Sequence, residues 1–303
     1  MLDDLYVRQA SLLLRCLPLI DRQTCFALKG GTAINLFCRD MPRLSVDIDL
    51  TYLPLSPRDA ALAHITQALS AIAEDIASGL GGIQVHPAKT ANTVTGLLIS
   101  HEGIQVKIEV NPVLRGSVFP PSMRDLSPGA QTFFQQFVAM RTLSMEDLYG
   151  GKICAALDRQ HPRDLYDVRL LLDTEGLLPK IRRAFVVYLA SHDRPMSELL
   201  SPRPKDIAVT YRNAFVGMSR EDIPLEQLLE TRDQLIALVR EGLDADEKRF
   251  LLSLKQGEPD WGALGIPHLH ALPALQWKLK NIHRMAKGKR REALARLREA
   301  LGT

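Results

Sequence analysis

The stretch Ser45-Val46-Asp47-Ile48-Asp49-Leu50 alternates apolar and acidic residues. A strand turns successive side chains to opposite faces, so Val46, Ile48 and Leu50 share one face while Asp47 and Asp49 project together from the other. The alternation predicts a half-buried strand that aims two carboxylates at one point. Like charges held so close raise each other's proton affinity, a cost that a divalent cation would offset. An oxygen-only donor set completed by substrate phosphates suits magnesium, with manganese as the alternative ion. A solvent-facing polar edge of an amphipathic strand has the same spacing, so the pair carries weight only with support from elsewhere in the chain.

A second alternating run supplies some of it. Val106, Ile108 and Val110 interleave with Lys107 and Glu109. If the two strands pair in register, Glu109 becomes a third metal ligand beside Asp47 and Asp49; otherwise it is an exposed strand residue paired with Lys107 or a neighbour. Upstream, Lys29-Gly30-Gly31-Thr32-Ala33 leads into the apolar residues 34–37. Two glycines before a helix let backbone amides approach a phosphate, with the Thr32 hydroxyl as a further donor. A plain strand-to-helix turn reads the same way. Downstream, Lys152 sits in a largely apolar helix and shares a face with Arg159, nearly two turns on. That cationic face suits a triphosphate or a domain interface. Pro162 opens the next helix, where Asp164 gains from the helix dipole and Arg163 can pair with Asp167 at i,i+4.

Around these motifs, residues 5–19 read as a helix and 60–80 as another, stopped by Gly79, Gly81 and Gly82. Residues 93–100 and 104–110 read as hairpin strands joined at His101-Glu102-Gly103. Residues 112–128 are rich in Pro, Gly and Ser, and beyond them the pattern is helical, with Ser144 and Asp147 forming a capping-box-like start and further helices near 182–189 and 225–243. The expected fold is an α/β (α+β) domain with a mixed sheet at residues 1–135, followed by an all-α domain at 136–303. With 303 residues, 46% hydrophobic and 24% charged, the chain is long enough for two cores. No basic leader followed by an apolar segment opens it, and no apolar run reaches the ~18 residues of a membrane span. Four scattered cysteines, Cys16, Cys25, Cys38 and Cys154, form neither a disulfide framework nor a zinc spacing. The expectation is a cytoplasmic protein with no membrane partner.

The net charge of +3 is too small to diagnose a polyanion partner, but its distribution is uneven. Lys278, Lys280, Arg284, Lys287, Lys289, Arg290, Arg291, Arg296 and Arg298 face the single acid Glu292 over residues 278–298. Such a density suits RNA phosphates, and equally a solvated helix face.

Taken in order, Lys29-Gly-Gly-Thr-Ala33, Arg43-Leu-Ser-Val-Asp-Ile-Asp-Leu50, Lys107-Ile-Glu-Val110, Glu146-Asp-Leu148, Lys152 and Arg163-Asp-Leu-Tyr-Asp167 resemble the AbiEii/AbiGii-type toxin nucleotidyltransferases, the MenT toxins among them. The resemblance covers residues 20–175 by motif and the rest by size and helical character. It implies a polymerase-β-like nucleotidyltransferase joined to a helical domain, the toxic half of a toxin-antitoxin or abortive-infection pair, neutralised by a cognate antitoxin. It further implies transfer of a nucleoside monophosphate from a nucleoside triphosphate to an acceptor, the tRNA 3′ end in similar members, which blocks translation. Position by position, Lys29, Gly30, Gly31 and Thr32 match the nucleotide-binding turn, Asp47 and Asp49 the metal pair, Lys152 the triphosphate lysine, and Asp164 or Asp167 the later acidic residue. Ser45 matches a serine phosphorylated in some relatives to silence them. Glu109 falls where the family varies, and Thr32 where classical relatives carry serine. A small-molecule or protein acceptor would use the same catalytic residues. A non-catalytic module binding nucleotide, RNA or antitoxin is the alternative from another class, against which the intact Asp47, Asp49 and Lys152 speak.

Overall fold

The computed structural model describes residues 2–90 and 93–303. Helix α1, Asp4–Asp21, starts on Asp3, whose carboxylate accepts the Leu5 amide at 2.8 Å and so satisfies one of the helix's orphan donors. Its Leu13, Leu14, Leu17 and Ile20 are fully buried. Strand β1, Phe26–Lys29, passes into a single helical turn, α2, Gly30–Ala33, and a π-helical turn at Ile34–Cys38. There follow β2, Asp47–Tyr52; α3, Arg58–Gly79; β3, Gln84–Thr90; β4, Thr93–His101; and β5, Ile104–Val110. The unit continues with β6, Ser122–Asp125, α4, Pro128–Phe134, and β7, Ala139–Thr142.

These strands form one mixed sheet in the order β3-β4-β5-β2-β1-β7-β6. β2 runs parallel to β5 and β1 parallel to β7, while the remaining neighbours are antiparallel. The β4–β5 hairpin turns on Glu102 and Gly103, both at positive φ (47° and 77°), which matches the right-handed twist of paired strands. α1 packs on β5 and β7, and α3 on β3, β4 and α1. The apolar side of the alternation, Ile48, Leu50, Val106 and Ile108, is buried to within 1%. Each such side chain contributes about 1.5–3 kcal/mol on burial, which fixes the strand register and leaves Asp47 and Asp49 on the other face.

The second unit is helical. It comprises most of α5, Met145–Arg159, then α6, Pro162–Thr174; α7, Pro179–Ser191; α8, Met196–Leu200; and α9, Ala208–Ala214. After these come α10, Leu225–Glu241; α11, Ala245–Gln256; a 3-10 turn at Leu269–Ala271; α12, Pro273–Arg284; and α13, Lys287–Leu301. Proline opens α6, α7 and α12 in the first turn, where no amide partner is lost. Asp244 and Glu247 cap α11 reciprocally. Gly150 lets α5 approach α7, since a Cβ there would lie 2.8 Å from the Phe185 amide nitrogen.

The chain divides into Met1–Leu148 with Val216–Asp222, and Tyr149–Phe215 with Ile223–Thr303. The joint expected after residue 135 thus lies later, because β7 pairs with β1 and the Leu143 amide donates to the Leu28 carbonyl at 3.0 Å. The return of residues 216–222 to the first unit has no counterpart in the sequence reading. It is secured by the Leu44 amide on the Met218 carbonyl (2.7 Å) and the Arg220 amide on the Pro42 carbonyl (3.0 Å).

Candidate active site

β2 and β5 pair with Asp47 opposite Lys107 and Asp49 opposite Glu109, while β1 sets Lys29 opposite Asp49. Residues paired directly across strands turn to the same face. One sheet face therefore carries the row Lys29, Asp49, Glu109 and the row Asp47, Lys107. Lys107 Nζ lies 2.6 Å from Glu109 Oε1, both side chains about half exposed. The hydrogen bond to Glu109 raises the Lys107 pKa, and the fields of Glu109, Asp47 and Asp49 add to it against a smaller loss from burial. Lys107 is thus a built-in cation among three carboxylates. Among the described residues, no three His, Cys, Asp or Glu side chains gather as a cation cage. Asp47 and Asp49 offer two hard oxygen donors, and Glu109 is turned to Lys107. Two carboxylates fit magnesium, which keeps several waters and takes the rest of its shell from substrate phosphates.

The glycine turn is shaped by these residues. Gly30 has φ +74°, and a Cβ there would collide with Asp49 Oδ2. A Cβ on Gly31 would stand 2.7 Å from Arg43 Nη2 and 3.0 Å from Ser45 Oγ. The two glycines are therefore what allows the acidic strand to lie against the turn. Thr32 is fully buried; its Oγ1 donates to the Asp47 carbonyl at 2.5 Å and shares a hydrogen bond with Ser45 Oγ at 2.9 Å. That hydroxyl ties the turn to the start of β2. Ser45 is buried beside it. Arg43, 2% exposed, donates from Nη1 to the Leu44 carbonyl at 2.7 Å. Its closeness to Gly31 was not readable from the sequence, where the only signal is an arginine two residues ahead of Ser45.

In the second unit, Lys152 Nζ lies 2.8 Å from Asp164 Oδ1 and 3.0 Å from Asp167 Oδ2. Arg159 grips Asp164 twice, Nε on Oδ2 at 2.5 Å and Nη2 on Oδ1 at 3.0 Å. Lys152 and both aspartates are buried, whereas Arg159 is mostly exposed. Burial alone would raise the Asp164 pKa, but Lys152 and then Arg159 outweigh it and hold the carboxyl well below the ordinary range. The shared face of Lys152 and Arg159 is as the helical spacing predicts, and Asp167 takes Lys152 as a partner. His161 caps α6, its Nδ1 accepting the Arg163 amide at 3.1 Å. Asp147 is likewise an anchor, accepting the Val118 and Phe119 amides at 2.8 Å each.

Along α12 and α13, Lys280, Arg284, Lys287, Lys289 and Arg291 are exposed and Arg290 half-buried. Lys278 is a correction to the sequence reading. Its Nζ donates to the His192 and Arg194 carbonyls, which close the end of α7, and burial first, then Lys255, pulls its pKa down to about 8. A lysine spent on two backbone carbonyls is not a phosphate contact. Trp277, missed in the sequence reading, is 49% exposed, and Lys280 Nζ stands 5.8 Å from its ring centroid. An aromatic three residues from a lysine in a basic stretch is the signal that could have found it.

A family model described as "Nucleotidyl transferase AbiEii toxin, Type IV TA system" matches residues 11–281. Among solved structures, the chain is similar to MenT4, a nucleotidyltransferase toxin from Mycobacterium tuberculosis H37Rv, with a TM-score of 0.60 at 16% identity over 92% of each chain. At that identity the likeness speaks for the fold. No curated protein matches the sequence. No helix among the described residues is long and apolar enough to cross a membrane.

Proposed function

This chain belongs to the AbiEii family of nucleotidyltransferase toxins of type IV toxin-antitoxin systems, and on that premise we propose that it transfers a nucleoside monophosphate from a nucleoside triphosphate to RNA in the cytoplasm, with the tRNA 3′ end as acceptor and a block of translation as the result. The observation that carries the proposal is the β2–β5 register, which sets Asp47, Asp49 and Glu109 on one sheet face against the Gly30-Gly31 turn. Asp47 and Asp49 would hold the divalent cation, Mg²⁺ or Mn²⁺, which when bound neutralises phosphate charge and lowers the cost of an attacking hydroxylate. Gly30 and Gly31 let the turn lie against Asp49, Arg43 and Ser45, which brings its backbone beside the carboxylate pair, and Lys29 adds a positive charge in the same row. Thr32 and Ser45 keep the lead-in to β2 fixed. Glu109 is the third carboxylate of the face, restrained by Lys107. In the second unit, Lys152 matches the triphosphate lysine of the resemblance, and its ammonium is held by Asp164 and Asp167. The acceptor oxygen bonds to the α-phosphorus as the bond to the leaving pyrophosphate breaks; positioning and charge neutralisation supply the rate, and no covalent protein intermediate is needed.

RNA as acceptor is supported by the exposed cations of α12 and α13 with Trp277 beside Lys280, a pairing of charge and stacking surface that suits a single strand. Incubation of the purified chain with Mg²⁺, each labelled nucleoside triphosphate in turn and total tRNA tests the proposal. Label on tRNA supports it; label on a small molecule or on protein alone moves the acceptor; no transfer under any condition refutes the chemistry. Growth arrest that survives Asp47→Ala would refute the catalytic basis of toxicity.

A further inference from the structure

Helices α8, α11 and α13 of the second unit line a pocket of about 330 Å³ that the transfer chemistry does not use. Lys255 is 7% exposed, lines the pocket, and has no hydrogen-bond or ion-pair partner among the described residues. The stem of Lys255 is packed away while its ammonium reaches solvent only through the pocket, so a cation with no protein counter-charge is presented to whatever fills that space. Burial lowers the Lys255 pKa, and repulsion from Arg296 lowers it further. Arg296 and Lys289 stand on the same side of α13, seven residues or nearly two turns apart, and both line the pocket with Lys255. Glu292 is the one carboxylate in the lining, so three cations face a single acid. Ser197 adds a hydroxyl, while Met196, Met285 and Leu297 supply apolar wall.

A bare inorganic ion would fill a small part of this space, whose size and mixed lining suit an organic ligand carrying an anion. Lys289 also continues into the exposed cations Lys287 and Arg291. We propose that this pocket is a second anion site, which takes a phosphate group attached to a nucleoside, either as a free nucleotide or as one unit of an RNA strand, with Lys255 as the buried counter-charge and Arg296 and Lys289 at its rim. The site is independent of the transfer chemistry of the first unit.

The test measures binding by the full chain in EDTA, with 5′-AMP by calorimetry and a fluorescein-labelled twelve-nucleotide RNA by anisotropy. Lys255→Met keeps the volume and removes the charge. It should weaken the phosphate probe about 10- to 100-fold, as expected for loss of a charge-assisted contact, and should melt no lower than the parent because an unpartnered buried charge has gone. Arg296→Gln, at an exposed position, should weaken the same probe several-fold and serves alone if Lys255→Met fails to fold. Asp49→Asn should leave this binding unchanged, which separates the pocket from the transfer site. Binding of 5′-AMP that depends on Lys255 assigns the free nucleotide; dependence seen only with the oligonucleotide assigns the strand. If neither probe binds, or both bind Lys255→Met and Arg296→Gln as they bind the parent, the proposal is overturned.

Discussion

Replacing Lys152 by methionine removes the cation shared by Asp164 and Asp167 at 2.8 and 3.0 Å. Taking away one member of a buried ion pair costs about 3–5 kcal/mol, because the remaining charge stays out of water. Here Asp164 keeps Arg159, but that side chain is 59% exposed and replaces only part of the lost field. The lower end, about 3 kcal/mol, is therefore expected at pH 7, equivalent to ~6–12 °C in melting temperature for a unit of this size. Trp261 and Trp277 are the chain's two tryptophans and both belong to the second unit, so their fluorescence during thermal or urea unfolding reports on that unit. The pH dependence gives the sign. The folded Asp164 pKa is depressed, so its contribution is complete above the ordinary carboxylate range near ~4 and is lost as pH falls through the depressed value. The gap between parent and Lys152→Met should therefore narrow below about pH 4. Adding Asp167→Asn should restore part of the loss, since the charge left behind is then neutral. A Lys152→Met chain that melts with the parent at pH 7, or a gap that widens in acid, would refute this account.

Four further outcomes follow from the geometry. Gly30→Ala combines a positive φ with a Cβ on Asp49 Oδ2, so it should cost about 1–3 kcal/mol in denaturant unfolding and depress label transfer through the displaced Asp49. Thr32→Val deletes the strut to the Asp47 carbonyl and Ser45, with an expected loss of ~1–3 kcal/mol in thermal unfolding that Thr32→Ser largely restores. Lys107→Met releases Glu109 toward Asp49, and the Mg²⁺ concentration for half-maximal transfer should fall; an unchanged titration would remove Lys107 as a competing cation. Gly150→Ala places a methyl 2.8 Å from the backbone of α7 and should destabilise the tryptophan-reporting transition by about 1–3 kcal/mol.

Much of the sheet was legible because burial acts on a period of two. Ile48 to Leu50 and Val106 to Val110 announce their faces, although Val46, expected with them, lies ahead of β2 and is only half-buried, and the hairpin announces itself at Glu102 and Gly103. Register was not legible: nothing local states that β2 meets β5 in parallel with Asp49 opposite Glu109, since that pairing depends on a crossover of more than fifty residues. Nor was the role of Thr32, which the short spacing to Gly31 suggested as a phosphate donor and the structure places in the interior. Helical spacing placed Lys152 and Arg159 on one face, but their convergence on Asp164 required the packing of α5 on α6. Lys278 was misread because a charge count cannot distinguish a solvated lysine from one turned onto the end of α7. The late boundary has a similar cause. Proline-rich residues 112–128 look like a linker, yet β7 beyond them completes the sheet by pairing with β1.

The return of residues 216–222 bears on the order in which the protein can acquire activity. The lead-in to the acidic strand is tied to Met218 and Arg220, encoded some 170 residues downstream of Asp47. On the ribosome, the first 148 residues emerge without the segment that holds Pro42 and Leu44 in place, so the nascent first unit lacks part of its own framework. A chain stopped at Leu148 should accordingly exchange the Leu44 amide far faster than the complete protein does. The acidic strand is thus fully braced only after more than two-thirds of the chain has been made, so on the proposed chemistry the topology itself would set a delay between the start of synthesis and the onset of activity.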